Sequence, residues 1–379
     1  LGVARRNTRN ACPDGAGVPQ PFAQQVISME DFIHTLNAVI WSPALVAFCL
    51  GAGLFFSIKS RFVQLRLIPE MWRLLFQKKE DEIGLSSFQA LSLTLAGRVG
   101  TGNIAGVATA ICFGGPGALF WMWVVAFLGA SSAFVESTLG QIYKERIEGQ
   151  YRGGPAFYIE RGLKLKAYAW AFAIVTILAS CFFCPGVQSN SIALAWNEAF
   201  GLDAEVTAAI VASITCFVIV GGLRRIATFT SWVVPFMAQA YIVVALIIVG
   251  VNWEQIPAVM TLIVNSAFGF DSLTGGMLGA AIAWGVKRGI YSNEAGQGTG
   301  PHASSAAAVS HPAKQGLVQA FSVYIDTLFV CSATGFMILM TGCYNMQAPD
   351  GSMIFEGLKG VEAGPVYTQA AIDQLMPGW

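Results

Sequence analysis

Two Gly-Thr-Gly tripeptides, Gly100-Thr101-Gly102 and Gly298-Thr299-Gly300, each interrupt an apolar stretch long enough to enter a membrane. Paired glycines make helix continuation costly by about 1 kcal/mol each and permit backbone angles that other residues resist. Unwound backbone inside a bilayer is tolerated only where it lines a cavity or is buried in protein. At the first break, the N–H groups of residues 102–105 open a half-helix whose positive dipole end suits a carboxylate. The carbonyls before Gly100 and the side-chain oxygens of Thr101 and Asn103 are hard ligands that suit Na+. A competing reading is close helix packing through Gly102-x-x-x-Gly106, a small-residue interface. The matching copy in the other half favours a binding site, since paired broken helices mark the midplane sites of transporters.

The second break carries more polar chemistry, Lys287-Arg288-Gly-Ile-Tyr-Ser-Asn-Glu294-Ala-Gly-Gln-Gly-Thr-Gly300. A charge inside a span costs about 2.5–3.5 kcal/mol, so it usually has a partner and a task. Lys287 and Arg288 with Glu294 read equally as part of the site and as a structural ion pair or inner-face anchor. Ser292, Asn293, Gln297 and the local carbonyls are candidates to hold a substrate ammonium. Trp284 is a candidate wall for the side-chain pocket, with simple packing or interface anchoring as its alternative. Asp326, with Thr327 beside it, lies among Val, Tyr, Ile and Leu and reads as a cation ligand or gating partner. Its alternative is a carboxylate satisfied by Lys287 or Arg288. Gln188 and Asn190 follow the Cys184-Pro185-Gly186 kink and either bond across the cavity or join helices. Glu136 falls near the cytoplasmic end of its span, where solvation of the helix end accounts for it.

Other chemistries find no support. Gly100-x-Gly102-x-x-Ala105 fits a loose dinucleotide fingerprint, but that motif needs a preceding strand, and here the flank is a bilayer-length apolar run. Cys181-x-x-Cys184 lies in an apolar span and reads as structural. His302 and His311 share no helix face with a third ligand, so no transition-metal site is expected. No Gly-x-Ser-x-Gly or other nucleophile–base motif marks an enzyme, and no organic cofactor is implied.

The elements that position these residues are membrane helices. Hydrophobic residues make up 55% of the 379-residue chain and charged residues 12%, against about 25% charge in a soluble domain. Zero net charge and the absence of basic–aromatic clusters exclude nucleic acid as a partner. After an amphipathic approach over Val26–Ile40, spans fall at 41–58, 86–112, 117–143, 168–199, 205–222, 230–251, 273–310 (broken) and 316–341. Residues 1–26 form a polar tail, and residues 27–379 form the transmembrane domain. Lysine and arginine cluster in alternate loops, at Lys59–Lys79, Lys144–Lys166, Arg224–Arg225 and Lys314. Those loops are therefore read as cytoplasmic. Ile256–Phe268 is apolar but too short to cross, and is taken as an external or interfacial helix.

Counting from Ser86, five spans precede Asn252 and a second broken span opens a new series. An odd-numbered block inverts its successor, so the expected architecture is a pair of inverted repeats, the second incomplete by about three helices. The span at 41–58 stands outside the repeat.

Gly114-Gly-Pro-Gly-Ala-Leu-Phe-Trp-Met-Trp-Val-Val-Ala-Phe-Leu-Gly129 closely resembles the signature of the bacterial sodium:alanine symporter family, the alanine or glycine:cation symporters. Further matches are Val99–Gly106, Gly153-Gly-Pro-Ala-Phe157, Trp284–Gly289 and Ser292-Asn-Glu-Ala-Gly296. The resemblance implies a leucine-transporter-like (LeuT) fold of 5+5 inverted repeats that moves alanine or glycine inward with Na+, less often H+. It places substrate at the two breaks, Gly100–Asn103 and Ser292–Gly298 (Gly296 among them). A sodium site in many relatives also draws on an eighth core helix, which this chain lacks.

The expected protein is thus a C-terminally truncated symporter of a bacterial cytoplasmic (inner) membrane. Its partners are a small amino acid and the lipid bilayer, with no obligatory protein partner. A channel or amino-acid sensor using the same cavity is the alternative from another class.

Overall fold

The computed structural model describes residues 31–33, 35–77, 81–270 and 277–375. The polar tail, Lys78, Lys79, Asp271 and the opening of the span at 273 lie outside the described residues. The described residues divide into two units before Val46, the first reaching Leu45 and helical over 31–33 and 35–40, the second running from Val46 onward.

Among the described residues, five helical stretches are long and apolar enough to cross a membrane: Asp31–Lys59, Gly117–Ile142, Lys166–Phe200, Gly222–Val251 and Pro312–Thr341. Shorter apolar helices run over Gly102–Gly114 and Ala204–Ile219. The only strands among the described residues are two small hairpins, Glu145–Ile147 with Gln150–Arg152 and Asn345–Gln347 with Met353–Glu356. The chain is an all-α polytopic membrane protein.

Gly117–Ile142 is the spine of the larger unit. Its 26 residues reach about 39 Å at 1.5 Å per residue, enough to cross a bilayer core. The helices Leu278–Asn293, Pro312–Val323, Gly300–Ser305 and Ile256–Phe268 all pack on it. Small residues permit this close approach. A Cβ on Gly285 would lie 2.6 Å from the Ala118 carbonyl oxygen, so only glycine fits there. On the outside, Lys166–Phe200 and Ala204–Ile219 expose large apolar side chains such as Trp170, Phe183 and Phe217, as helices in a bilayer do.

The first broken span starts where the hydropathy reading set it, and element boundaries depart from that reading in three other places. The first broken span begins at Ser87 under a capping box, in which the Ser86 hydroxyl accepts the Gln89 N–H (3.1 Å) and the Gln89 side chain accepts the Ser86 N–H (3.0 Å). Gly222–Val251 starts eight residues ahead of the expected 230, placing Arg224 and Arg225 in its first turn rather than in a loop. The Arg225 guanidinium lies over the Phe217 ring at 4.2 Å, which shields its stem. The second half-helix of the 273–310 span is only Gly300–Ser305. Beyond it the chain extends so that Leu85 N–H bonds Ala306 O and Ala308 N–H bonds Leu85 O, each at 2.9 Å. Past Thr341, where hydropathy is silent, lie the second hairpin and the helix Pro365–Leu375. Ile256–Phe268 is a helix of 13 residues, as expected.

Candidate functional site

The two breaks are built differently. The first helix ends at Arg98, Val99 is extended (φ −77, ψ 100), and helix resumes as a wide π-type turn over Gly102–Gly106. Neither Gly100 nor Gly102 takes a left-handed angle. What is tight there is space: a Cβ on Gly100 would lie 3.2 Å from Gln188 Oε1, the tip of a flexible side chain, and one on Gly102 3.1 Å from Ser292 Cα, which is backbone. At the second break the demand is conformational, with Glu294 at φ 52, Gly296 at φ 84 and Gly298 at φ 86.

Between the breaks lies a buried knot of polar side chains. Asn103 turns Oδ1 back to accept the Gly100 N–H (2.8 Å) and points Nδ2 outward. Nδ2 donates to Asp326 Oδ1 (2.6 Å) and Ser292 Oγ (3.1 Å). Ser292 Oγ donates to Asp326 Oδ2 at 2.9 Å, and Thr327 Oγ1 donates to the same oxygen at 2.8 Å. Asn293 Nδ2 reaches Thr327 Oγ1 at 3.3 Å, while Asn293 Oδ1 accepts the Ala295 N–H at 3.0 Å and shapes the turn. Asp326 and Thr327 project from a π-helical stretch, Tyr324–Cys331, whose wider turns re-aim side chains. The expected alternative partners of Asp326, Lys287 and Arg288, are engaged elsewhere, both over the Trp284 ring at 5.3 Å.

Beside the knot is a cavity of about 600 Å³, walled by Gly100, Gly102, Gln188, Tyr291, Glu294 and Gln297 among others. Thr101 donates its N–H to Gln188 Oε1 (3.2 Å), and its own hydroxyl is buried beside the Tyr291 side chain. Gln297 Nε2 donates to the Ile290 carbonyl at 3.0 Å. Thr101 and Trp284 aside, the expected site residues fall into three places. Gly100, Gly102, Gln188 and Gln297 face the cavity; Asn103, Ser292, Asn293, Asp326 and Thr327 make the knot; Gly296 forms the turn between them. Trp284 is apart from the cavity wall and stacks on Phe113, ring centroids 4.9 Å apart. Among the described residues, no group of three or more His, Cys, Asp or Glu is arranged to hold a metal.

Two charged residues take parts the sequence reading did not assign. Glu136 is buried, not solvated at a helix end, and its Oε2 accepts the Gly298 N–H at 3.0 Å. It thereby satisfies backbone freed by the second break. Arg98, in the last turn before the first break, is 1% exposed. It donates from Nη1 to the Gln319 carbonyl (3.3 Å) and to the Ser322 hydroxyl. The signal that marks both is an ionisable residue inside a span.

Residues 26–379 match the model of the sodium:alanine symporter family. A protein of Bacillus subtilis (strain 168), provisionally named a sodium/proton-dependent alanine carrier, is 62% identical over 93% of the chain and 72% of its own length. A sodium/proton-dependent alanine carrier of Bacillus sp. (strain PS3) is 50% identical, covering 82% of the chain and 69% of the relative. A sodium/alanine symporter of Methanococcus maripaludis is 39% identical over 91% and 76% respectively.

Proposed function

The chain belongs to the sodium:alanine symporter family, and from that membership we propose a secondary active symporter that imports alanine or glycine around a midplane site. It is a transporter rather than an enzyme, with Na+ as coupling ion and H+ as the alternative that relatives' names include. The observation that carries the site assignment is the Asn103–Ser292–Asp326 junction, in which one buried carboxylate links both breaks to a third helix.

In this reading Asp326, Thr327, Asn103 and Thr101 supply oxygens to the cation, whose charge offsets that of the buried carboxylate. Backbone at 100–105 receives the substrate carboxylate, which displaces Gln188 Oε1 from the Thr101 N–H. Ser292, Asn293, Gly296 and Gln297 surround the ammonium, and Trp284, stacked on Phe113, supports the packing away from the cavity wall. Ion and substrate stabilise the same closed arrangement of three segments, which is the thermodynamic content of coupling. Alternating access follows as rocking of the broken helices within a LeuT-like 5+5 inverted repeat, with the 41–58 helix outside it. Residues 27–379 are the transport domain, residues 1–26 a tail, and the membrane is the bacterial cytoplasmic one.

The test is radiolabelled alanine uptake into vesicles under an imposed Na+ gradient and, separately, an imposed pH gradient. Accumulation is expected to follow Na+ and to vanish in Asn103→Ala and Asp326→Ala. Wild-type uptake in both variants would falsify the ion assignment, and flux without accumulation would identify a channel.

A further inference from the structure

A second cavity, of about 570 Å³, lies at the end of the bundle that carries the basic 144–166 loop, with Tyr151, Arg152, Phe157 and His302 in its wall. Nothing in the site at the breaks uses it. Phe172 and Thr176 line both cavities, as residues four apart on one face of the Lys166–Leu178 helix do. Opposite them runs the second break. A Cβ on Gly298 would lie 2.9 Å from Phe172 Cζ and 2.6 Å from Pro155 Cγ, so the ring rests directly on glycine backbone. That backbone is held from its other side, where the Gly298 N–H donates to Glu136 Oε2. Gln297 and Thr299 face the first cavity, while His302 and Ala306 face the second.

We propose that Phe172 is the inner gate of the transport path: its ring, seated on Gly298, separates the midplane cavity from the second cavity. When it swings away, the two join into a passage for a zwitterionic amino acid toward the basic-loop side. The ring is half-buried with open volume on both sides, so a rotamer change opens the partition without moving the backbone. Polar groups wait at each end of the step, Gln297 and Thr299 before the ring and His302, Tyr151 and Arg152 beyond it. A zwitterionic substrate therefore leaves polar groups on one wall for polar groups on the other, crossing an aromatic barrier. The inference rests on the transport reading for the cargo and for the direction of the path.

Cys184 lines the midplane cavity, and no cysteine lines the second one. It is thus a native reporter. Inside-out vesicles present the basic-loop side to a small, membrane-impermeant methanethiosulfonate, and modification of Cys184 is followed by peptide mass spectrometry. Phe172→Ala is expected to raise the Cys184 rate several-fold over wild type, with Phe172→Trp at or below it. A membrane-permeant thiol reagent should modify Cys184 equally in all three, which controls for folding; if Phe172→Ala fails to fold, Phe172→Leu takes its place. Equal impermeant rates in wild type and the truncated side chain overturn the gate. Labelling does not depend on coupled flux, so a failed uptake assay and a failed gate are told apart.

Discussion

Asn103 Nδ2 and Asp326 Oδ1 stand 2.6 Å apart although 223 residues separate them in the chain. One is the first polar side chain after the first break, and the other is a carboxylate buried on a helix beyond the second. Ser292, just ahead of the second break, bonds both of them, so the two breaks meet at one buried carboxylate.

Because each side chain satisfies the other, their effects should not add. Asn103→Ala and Asp326→Ala are each expected to lower stability by about 1–3 kcal/mol, the usual cost of orphaning a buried polar group. The double variant should cost less than the sum. Thermal unfolding in detergent across the four proteins measures this, and strict additivity would deny the coupling.

Glu136 offers a finer test of the second break. Glu136→Gln keeps an acceptor for the Gly298 N–H, whereas Glu136→Ala leaves that donor buried alone at a cost of about 1–3 kcal/mol. Alanine should therefore lower the unfolding midpoint more than glutamine does. The reverse order would remove the clasp.

The glycines rank by geometry. Gly298→Ala meets both a left-handed φ of 86 and the Phe172 ring, combining about 1–2 kcal/mol of backbone strain with about 1–3 kcal/mol of overpacking. Gly102→Ala meets only Ser292 Cα at 3.1 Å, and Gly106→Ala finds its nearest atom at 3.8 Å. Yield of folded protein should fall in the order Gly106→Ala, Gly102→Ala, Gly298→Ala. A damaging Gly106→Ala would restore the view that Gly102-x-x-x-Gly106 is a packing interface.

Lys144, in the loop after the spine helix, ties that loop to the end of the second broken helix. Its Nζ donates to Gln141 Oε1 and Ala307 O, each at 2.7 Å, and sits over the Tyr151 ring at 4.3 Å. Burial, which disfavours the ammonium, pushes its pKa down to about 8, with the Asp81 carboxylate pulling the other way. The folded state thus prefers the neutral amine relative to the unfolded chain. That contribution is complete above the lysine reference near about 10.4 and is lost as pH falls through about 8. The pH profile of Lys144 acylation, read by mass spectrometry, should have its midpoint there. Asp81→Asn should move the midpoint lower, and an upward move would refute the electrostatic account.

Gly-Thr-Gly inside apolar runs located both breaks, and isolated polar residues picked out Asn103, Ser292 and Asp326, because a bilayer makes each such residue conspicuous. The same rule marks Arg98 and Glu136. Reading Glu136 as helix-end solvation followed from its distance along one helix, a coordinate blind to the segment packed against it. The hairpin at 145–152 and the short second half-helix escaped hydropathy because backbone pairing with Leu85 and between Glu145–Ile147 and Gln150–Arg152 sets them, not apolar length.

The sequence by itself determined the membrane class, the broken helices and the family, since these follow from composition, local backbone preference and contiguous motifs. Only the tertiary structure decided which polar residues share a partner, which glycine is needed for space and which for its angle, and which ring stands between the two cavities. Those relations join residues from helices remote in sequence, and one-dimensional spacing carries no record of which faces meet.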